Sequence, residues 1–115
     1  MHELSVALAL VEEVSESAAA QGFAKVTAVE IRVGALSGIS RDALLFSWEL
    51  AAADSIAAGS ELRVEEVPLA IFCERCACEV RPPSGSGLVC PVCGTVADRI
   101  AHGRELELVA LEVPE

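Results

Sequence analysis

The sequence predicts an α+β fold: a small mixed three-stranded sheet with two helices, plus an inserted cysteine-rich subdomain. Three observations lead there. Apolar residues recur at helical spacing in two stretches and alternate at strand spacing in three others. Two Cys-x-x-Cys pairs, Cys73/Cys76 and Cys90/Cys93, fall between the second and third strand patterns. With 115 residues and 53% hydrophobic content, the chain can build one core of moderate size, and a small lobe beside it needs another means of support.

The elements follow in order. Leu4, Leu8, Val11, Val14 or Ser15, and Ala18 recur at helical spacing with glutamates between them, and Gly22 stands where a C-terminal cap belongs, which predicts a helix over about 4–20. From Lys25 to Val33 the pattern alternates, with Thr27, Val29, Ile31 and Val33 on one face and Glu30 and Arg32 on the other. That is a half-buried strand. Gly34 and Gly38 bracket a turn, and Ser40 is an N-cap for a second helix to about 53, with Leu44, Leu45, Trp48 and Ala52 inward. Trp48, the single tryptophan, reads as a core anchor.

Glu61 to Ala70 forms a second strand with Leu62 and Val64 inward, and Pro68 marks its end or an exposed edge. Arg104 to Val113 forms the third, with an alternation that slips near Val109, as a bulge or a change from one-sided to two-sided burial would make it. These two strands flank the insertion, so the simplest expectation is that they pair antiparallel with the insertion protruding from their shared end. The domain expectation is therefore one α+β domain from 1–70 and 100–115, with the cysteine-rich lobe at 71–99.

Charge excludes one large class of function. Eighteen acidic residues against eight basic ones give a net charge of −10, and the seven arginines and one lysine are scattered. Nucleic-acid affinity needs clustered cations, so no nucleic-acid role is expected; an acidic surface suits basic protein partners or cations. No apolar run is long enough to span a bilayer, and Glu12, Glu13 and Glu16 interrupt the first helix pattern. A soluble, cytoplasmic protein without membrane association is the expectation.

The cysteines carry the strongest signal. Each Cys-x-x-Cys forms a tight turn with both thiolates pointing one way, and two such turns facing each other place four sulfurs around one tetrahedral cation. The thirteen-residue connection with Pro82, Pro83, Gly85 and Gly87 matches a zinc ribbon. Four thiolates leave zinc no open position, so the site is structural rather than catalytic. An odd cysteine count argues against a disulfide framework, and the duplicated pair does not resemble a thioredoxin-type redox unit. Cys78, the fifth cysteine, is a spare thiol near the knuckle or a substitute for Cys76 in a wider turn.

No Ser/His/Asp set, His-Glu-x-x-His or nucleotide-binding motif is present, so the protein is not expected to be an enzyme. His102 reads as a loop residue. His2 differs by its place: the terminal amine of Met1, a deprotonated amide and the His2 imidazole form fused chelate rings, and the Glu3 amide can complete a square of nitrogens. Ni²⁺ and Cu²⁺ prefer that geometry.

Met1-His2-Glu3-Leu4-Ser5 opening a helix, Val33-Gly34-Ala35-Leu36-Ser37-Gly38 after the first strand, and the ribbon at Cys73/Cys76 with Cys90/Cys93 together resemble the HypA/HybF family of hydrogenase nickel-incorporation proteins. The resemblance runs over the whole chain. It implies a nickel metallochaperone for [NiFe]-hydrogenase maturation that binds Ni²⁺ as cargo at Met1, His2 and Glu3 and delivers it to the large subunit. It also implies structural zinc on Cys73, Cys76, Cys90 and Cys93. The partners it implies are a nickel-binding GTPase, the hydrogenase large-subunit precursor and, in some organisms, the urease maturation machinery. Some relatives place a carboxylate near the start of the second helix; here Ser40 stands there with Asp42 the nearest acid, and the nickel site is not extended to it. The competing reading is a zinc-ribbon adaptor that docks a protein partner, with His2 idle.

Overall fold

The computed structural model describes residues 2–115. The order is α1 (Glu3–Ala20), β1 (Ala28–Gly34), α2 (Arg41–Ala52), β2 (Glu61–Val67), β3 (Ala70–Cys73), β4 (Cys78–Val80), β5 (Arg99–His102) and β6 (Leu106–Glu112). The chain forms two compact units. One gathers the chain up to Arg32 with Gly38–Glu65 and Glu107–Glu115; the other gathers Val33–Ser37 and Glu66–Leu106.

β1, β2 and β6 form one sheet in the order β2-β1-β6. The Glu61 N–H donates to the Thr27 carbonyl and the Ala35 N–H to that of Val67, so β1 and β2 run parallel. The Thr27 N–H donates to Glu112 and the Gly34 N–H to Glu105, so β6 runs antiparallel to β1. The sheet is mixed, as expected. Its strand order is not the expected one: β2 and β6 do not pair, because β1 lies between them. With a neighbour on each side, β1 is buried at every residue except Glu30 and Arg32, whereas the outer strands β2 and β6 are largely exposed. Parallel neighbours need a long crossover, which α2 and its flanking loops provide.

The first unit's core contains Val14, Val29, Ile31, Leu44 and Trp48, all nearly inaccessible. The Trp48 Nε1–H donates to Ser60 Oγ at 3.0 Å, so the indole fills the core without leaving its polar atom unpaired. Ser40 caps α2 as its sequence predicts, its Oγ accepting the Ala43 N–H at 3.3 Å. The inward face of α1 matches the expected stripe only in its second half: Val14 and Ala18 are buried as expected, but Ala7 and Leu10 are buried ahead of them, while Leu4 and Leu8 stay 47% and 52% exposed. Both stripes have helical spacing; the small Ala7 and Ala18 let the helix approach closely, which a count of large apolar residues does not reveal.

The second unit contains a sheet that the sequence pattern did not show, in the order β4-β3-β5, with both outer strands antiparallel to β3. Its strands are three or four residues long, too short for a period to stand out. Phe72 lies opposite Arg99, whose guanidinium sits 4.5 Å from the ring centroid. Gly34 answers to a close approach: a Cβ there would stand 2.2 Å from the backbone carbonyl of Gly103. The Leu36 N–H closes the same contact by donating to that carbonyl at 2.7 Å.

Candidate metal centre

Two hairpins bring the four cysteines together. In the first, β3 and β4 pair with Cys73 opposite Cys78, and the turn between them carries Cys76 and Ala77. In the second, Val89 bridges Val96, the Cys90 N–H donates to the Thr95 carbonyl at 2.9 Å, and the Gly94 N–H donates back to the Cys90 carbonyl at 2.9 Å. Each Cys-x-x-Cys is followed by a residue in the left-handed region, Ala77 with φ 57° and Gly94 with φ 75°, so the chain reverses immediately after the second sulfur.

The sulfurs of Cys73, Cys76, Cys90 and Cys93 all lie within 4.8 Å of one another. Across the two hairpins, Cys73 Sγ is 3.5 Å from Cys93 Sγ and Cys76 Sγ is 3.9 Å from Cys90 Sγ. A tetrahedral zinc with Zn–S of about 2.3 Å needs sulfur separations of about 3.8 Å, so the four donors fit that ion in number, softness and spacing. Among the described residues this is the one group of three or more His, Cys, Asp or Glu side chains placed to surround a metal. Cys78 is exposed and outside the group, while Cys76 is within it.

Crowding divides the thiols. The Thr95 hydroxyl, 3.2 Å from Cys93 Sγ, and the Thr95 backbone N–H favour the Cys93 thiolate and hold it down at about 6. Cys76 is pushed up to about 12, first by Cys93 and then by Cys73. Without a cation the cluster cannot carry four negative charges; a divalent ion reverses that by favouring every thiolate. Thr95 was not singled out by sequence reasoning. Its signal is its place, a hydroxyl residue directly after the Cys-x-x-Cys-Gly turn, where the chain folds back over the sulfur.

The amino-terminal residues lie elsewhere in the chain's chemistry. Met1 lies outside the described residues, so its amine, part of the expected nickel chelate, has no described position. His2 is exposed and left-handed at φ 52° and ψ 29°; its carbonyl accepts the Val6 N–H at 3.0 Å, and its side chain makes no capping bond. Glu3 Oε2 accepts the Ser40 N–H at 3.0 Å, which ties the start of α1 to the cap of α2. His102 faces two carboxylates, Glu105 at 3.2 Å and Glu79 at 3.7 Å, and is not part of the thiol group.

The mixed sheet with two helices and the four-thiol ribbon define a small metal-binding α+β protein. Comparison with known proteins narrows that class. The family model for "Hydrogenase/urease nickel incorporation, metallochaperone, hypA" matches residues 1–113. A hydrogenase maturation factor HypA from Roseiflexus sp. (strain RS-1) is 49% identical over 112 residues, covering 97% of this chain and 91% of its own. The factor of the same name from Chloroflexus aggregans is 48% identical over 114 residues, with 99% and 100% covered. The solution structure of the Ni metallochaperone HypA from Helicobacter pylori superposes with a TM-score of 0.70 at 24% identity, covering 98% of this chain and 97% of that one, which establishes the shared fold.

The chain belongs to the HypA family of nickel metallochaperones in hydrogenase maturation. Among its described residues no helix is long and apolar enough to cross a membrane.

Proposed function

We propose that this chain carries nickel at its amino terminus, on His2 with the Met1 amine and Glu3, while zinc on Cys73, Cys76, Cys90 and Cys93 holds the ribbon folded. The difference between the two donor sets carries the reading. Four converging thiols close a tetrahedral ion completely, and a metal held that way is not handed over. Cargo needs an open site, and His2 is exposed at the chain end with no capping role for its ring.

Zinc in the ribbon supplies folding free energy and fixes a docking surface. The terminal chelate can be opened by an incoming ligand without unfolding anything, and protons release its metal by competing for imidazole, amine and amides. Neither site does chemistry on a substrate, so the role is non-catalytic. A nickel-binding GTPase and the hydrogenase large-subunit precursor are the proposed donor and acceptor, in the cytoplasm; urease maturation proteins are a further acceptor by the same chemistry.

A nickel titration of the zinc-loaded protein tests this, comparing the native terminus with one extended by a residue and with His2→Ala. Both changes are expected to weaken nickel binding by about tenfold or more while zinc content and fold stay intact. Equal nickel binding in all three would remove the terminal site and leave a zinc-ribbon adaptor as the better reading.

A further inference from the structure

The two outer strands of the β2-β1-β6 sheet are finished differently. The β2 edge carries Glu61, Arg63 and Glu65; Arg63 pairs with Glu61 and Arg32 with Glu65. Alternating charge of that kind discourages another strand from adding. β6 carries instead the uncharged run Leu108-Val109-Ala110-Leu111, with Val109 46% exposed. Among the described residues no strand pairs with its outer side.

A groove of about 470 Å³ lies beside that edge, with Ser17, Gln21 and Phe23 on one side and Leu108–Leu111 and Val113 on the other.

We propose that the β6 edge and this groove receive an extended segment of a partner protein, alternately apolar and basic, which adds as a fourth strand. Backbone pairing would supply affinity, and the groove would take every second side chain. The charge of the edge sets the other side chains. Of the four glutamates from Glu105 to Glu115, Glu105 is held by the Gly103 N–H and His102 and Glu112 by Arg63, so Glu107 and Glu115 set the acidic charge at the two ends of the uncharged run. Glu107 is exposed toward solvent. A second copy of this chain is disfavoured as the occupant because two such edges would repel, whereas a segment with lysine or arginine at alternate positions neutralises the edge.

The probe is an end-blocked octapeptide of alternating valine and lysine, titrated into the full-length, zinc-loaded, nickel-free protein and followed by backbone amide resonances. Saturable shifts are expected at Leu108–Leu111, with slowed hydrogen exchange there. Two further peptides carry N-methyl groups on alternate residues, one in each phase. A strand presents only every second N–H to its neighbour, so one phase should lose at least about tenfold in affinity and the other keep it. Val109→Lys should weaken the unmethylated probe without changing the melting temperature, because the position is exposed.

Equal binding of both methylated peptides would reduce the effect to unspecific charge attraction and overturn the proposal, and so would shifts confined to other surfaces. Concentration-dependent protection of the same amides without peptide would make a second copy the occupant and overturn it equally. Because nickel is absent throughout, a failure here leaves the terminal metal site untouched.

Discussion

Trp48 and Cys90 are both almost wholly buried, at 2% and 1% exposure, yet they are buried by different means. Trp48 sits in the first unit among apolar side chains from α1, β1 and α2, where the area removed from water does the stabilising. Cys90 sits in a ribbon whose other nearly inaccessible side chains are few, chiefly Ile71 and Cys73, and whose connecting residues from Arg81 to Val89 are mostly exposed. A lobe of that size cannot fold on apolar burial alone, so the four sulfurs have to act as its core. One chain thus holds a region stabilised by packing and a region that the proposed zinc site would stabilise.

Removing the metal-binding cluster should separate the two most sharply. Cys90→Ala, or a strong chelator on the native protein, withdraws binding free energy of about 10 kcal/mol or more in small zinc lobes. Amides of β3, β4 and β5 are expected to lose exchange protection, while those of α1, β1 and α2 keep theirs. Collapse of all of them together would show that the first unit also depends on the metal. Trp48→Ala is the converse change. Loss of a buried indole costs about 3–5 kcal/mol, and it leaves Ser60 Oγ without its donor. The expected result is a lower melting point for α1, α2 and β1 with zinc stoichiometry held at one, read by calorimetry and metal analysis. Loss of zinc in that variant would break the comparison from the other side.

The same division governs what the sequence could reveal. Thiolate chemistry is written in residue identity and spacing, so Cys73, Cys76, Cys90 and Cys93 could be read directly, and they converge within 4.8 Å. Packing is written only in pattern, which is degenerate. On α1 the stripe through Leu4 and Leu8 and the stripe through Ala7 and Leu10 have the same period, and only the approach of the neighbouring elements selects the second. Strand existence could be read for β1, β2 and β6, but strand order could not, because it depends on pairing between segments far apart in the chain. The short strands of the ribbon left no periodic trace. Glu3 meeting the Ser40 N–H is a contact between residues far apart in the chain that no local pattern announces.

The smallest expected effect lies inside the ribbon, where its two knuckles can be compared with each other. Both reverse the chain right after the second cysteine by means of a left-handed residue, but Gly94 fills that place in one and Ala77 in the other. Glycine has no Cβ to meet the neighbouring carbonyl, whereas alanine held at φ 57° bears a steric cost of about 1 kcal/mol. Ala77 is exposed in the turn, so removing its methyl group opens no cavity. Ala77→Gly is therefore expected to stabilise the zinc-loaded ribbon by somewhat less than that cost, since glycine also gives the unfolded chain more freedom. Zinc competition against a chelator should show a site about two- to threefold tighter, with the melting of the first unit unmoved. If Ala77→Gly instead loosened zinc, freedom in the unfolded loop would outweigh strain in the folded one, and the ribbon's stability would be governed by chain entropy rather than by the fit of its knuckles around the metal.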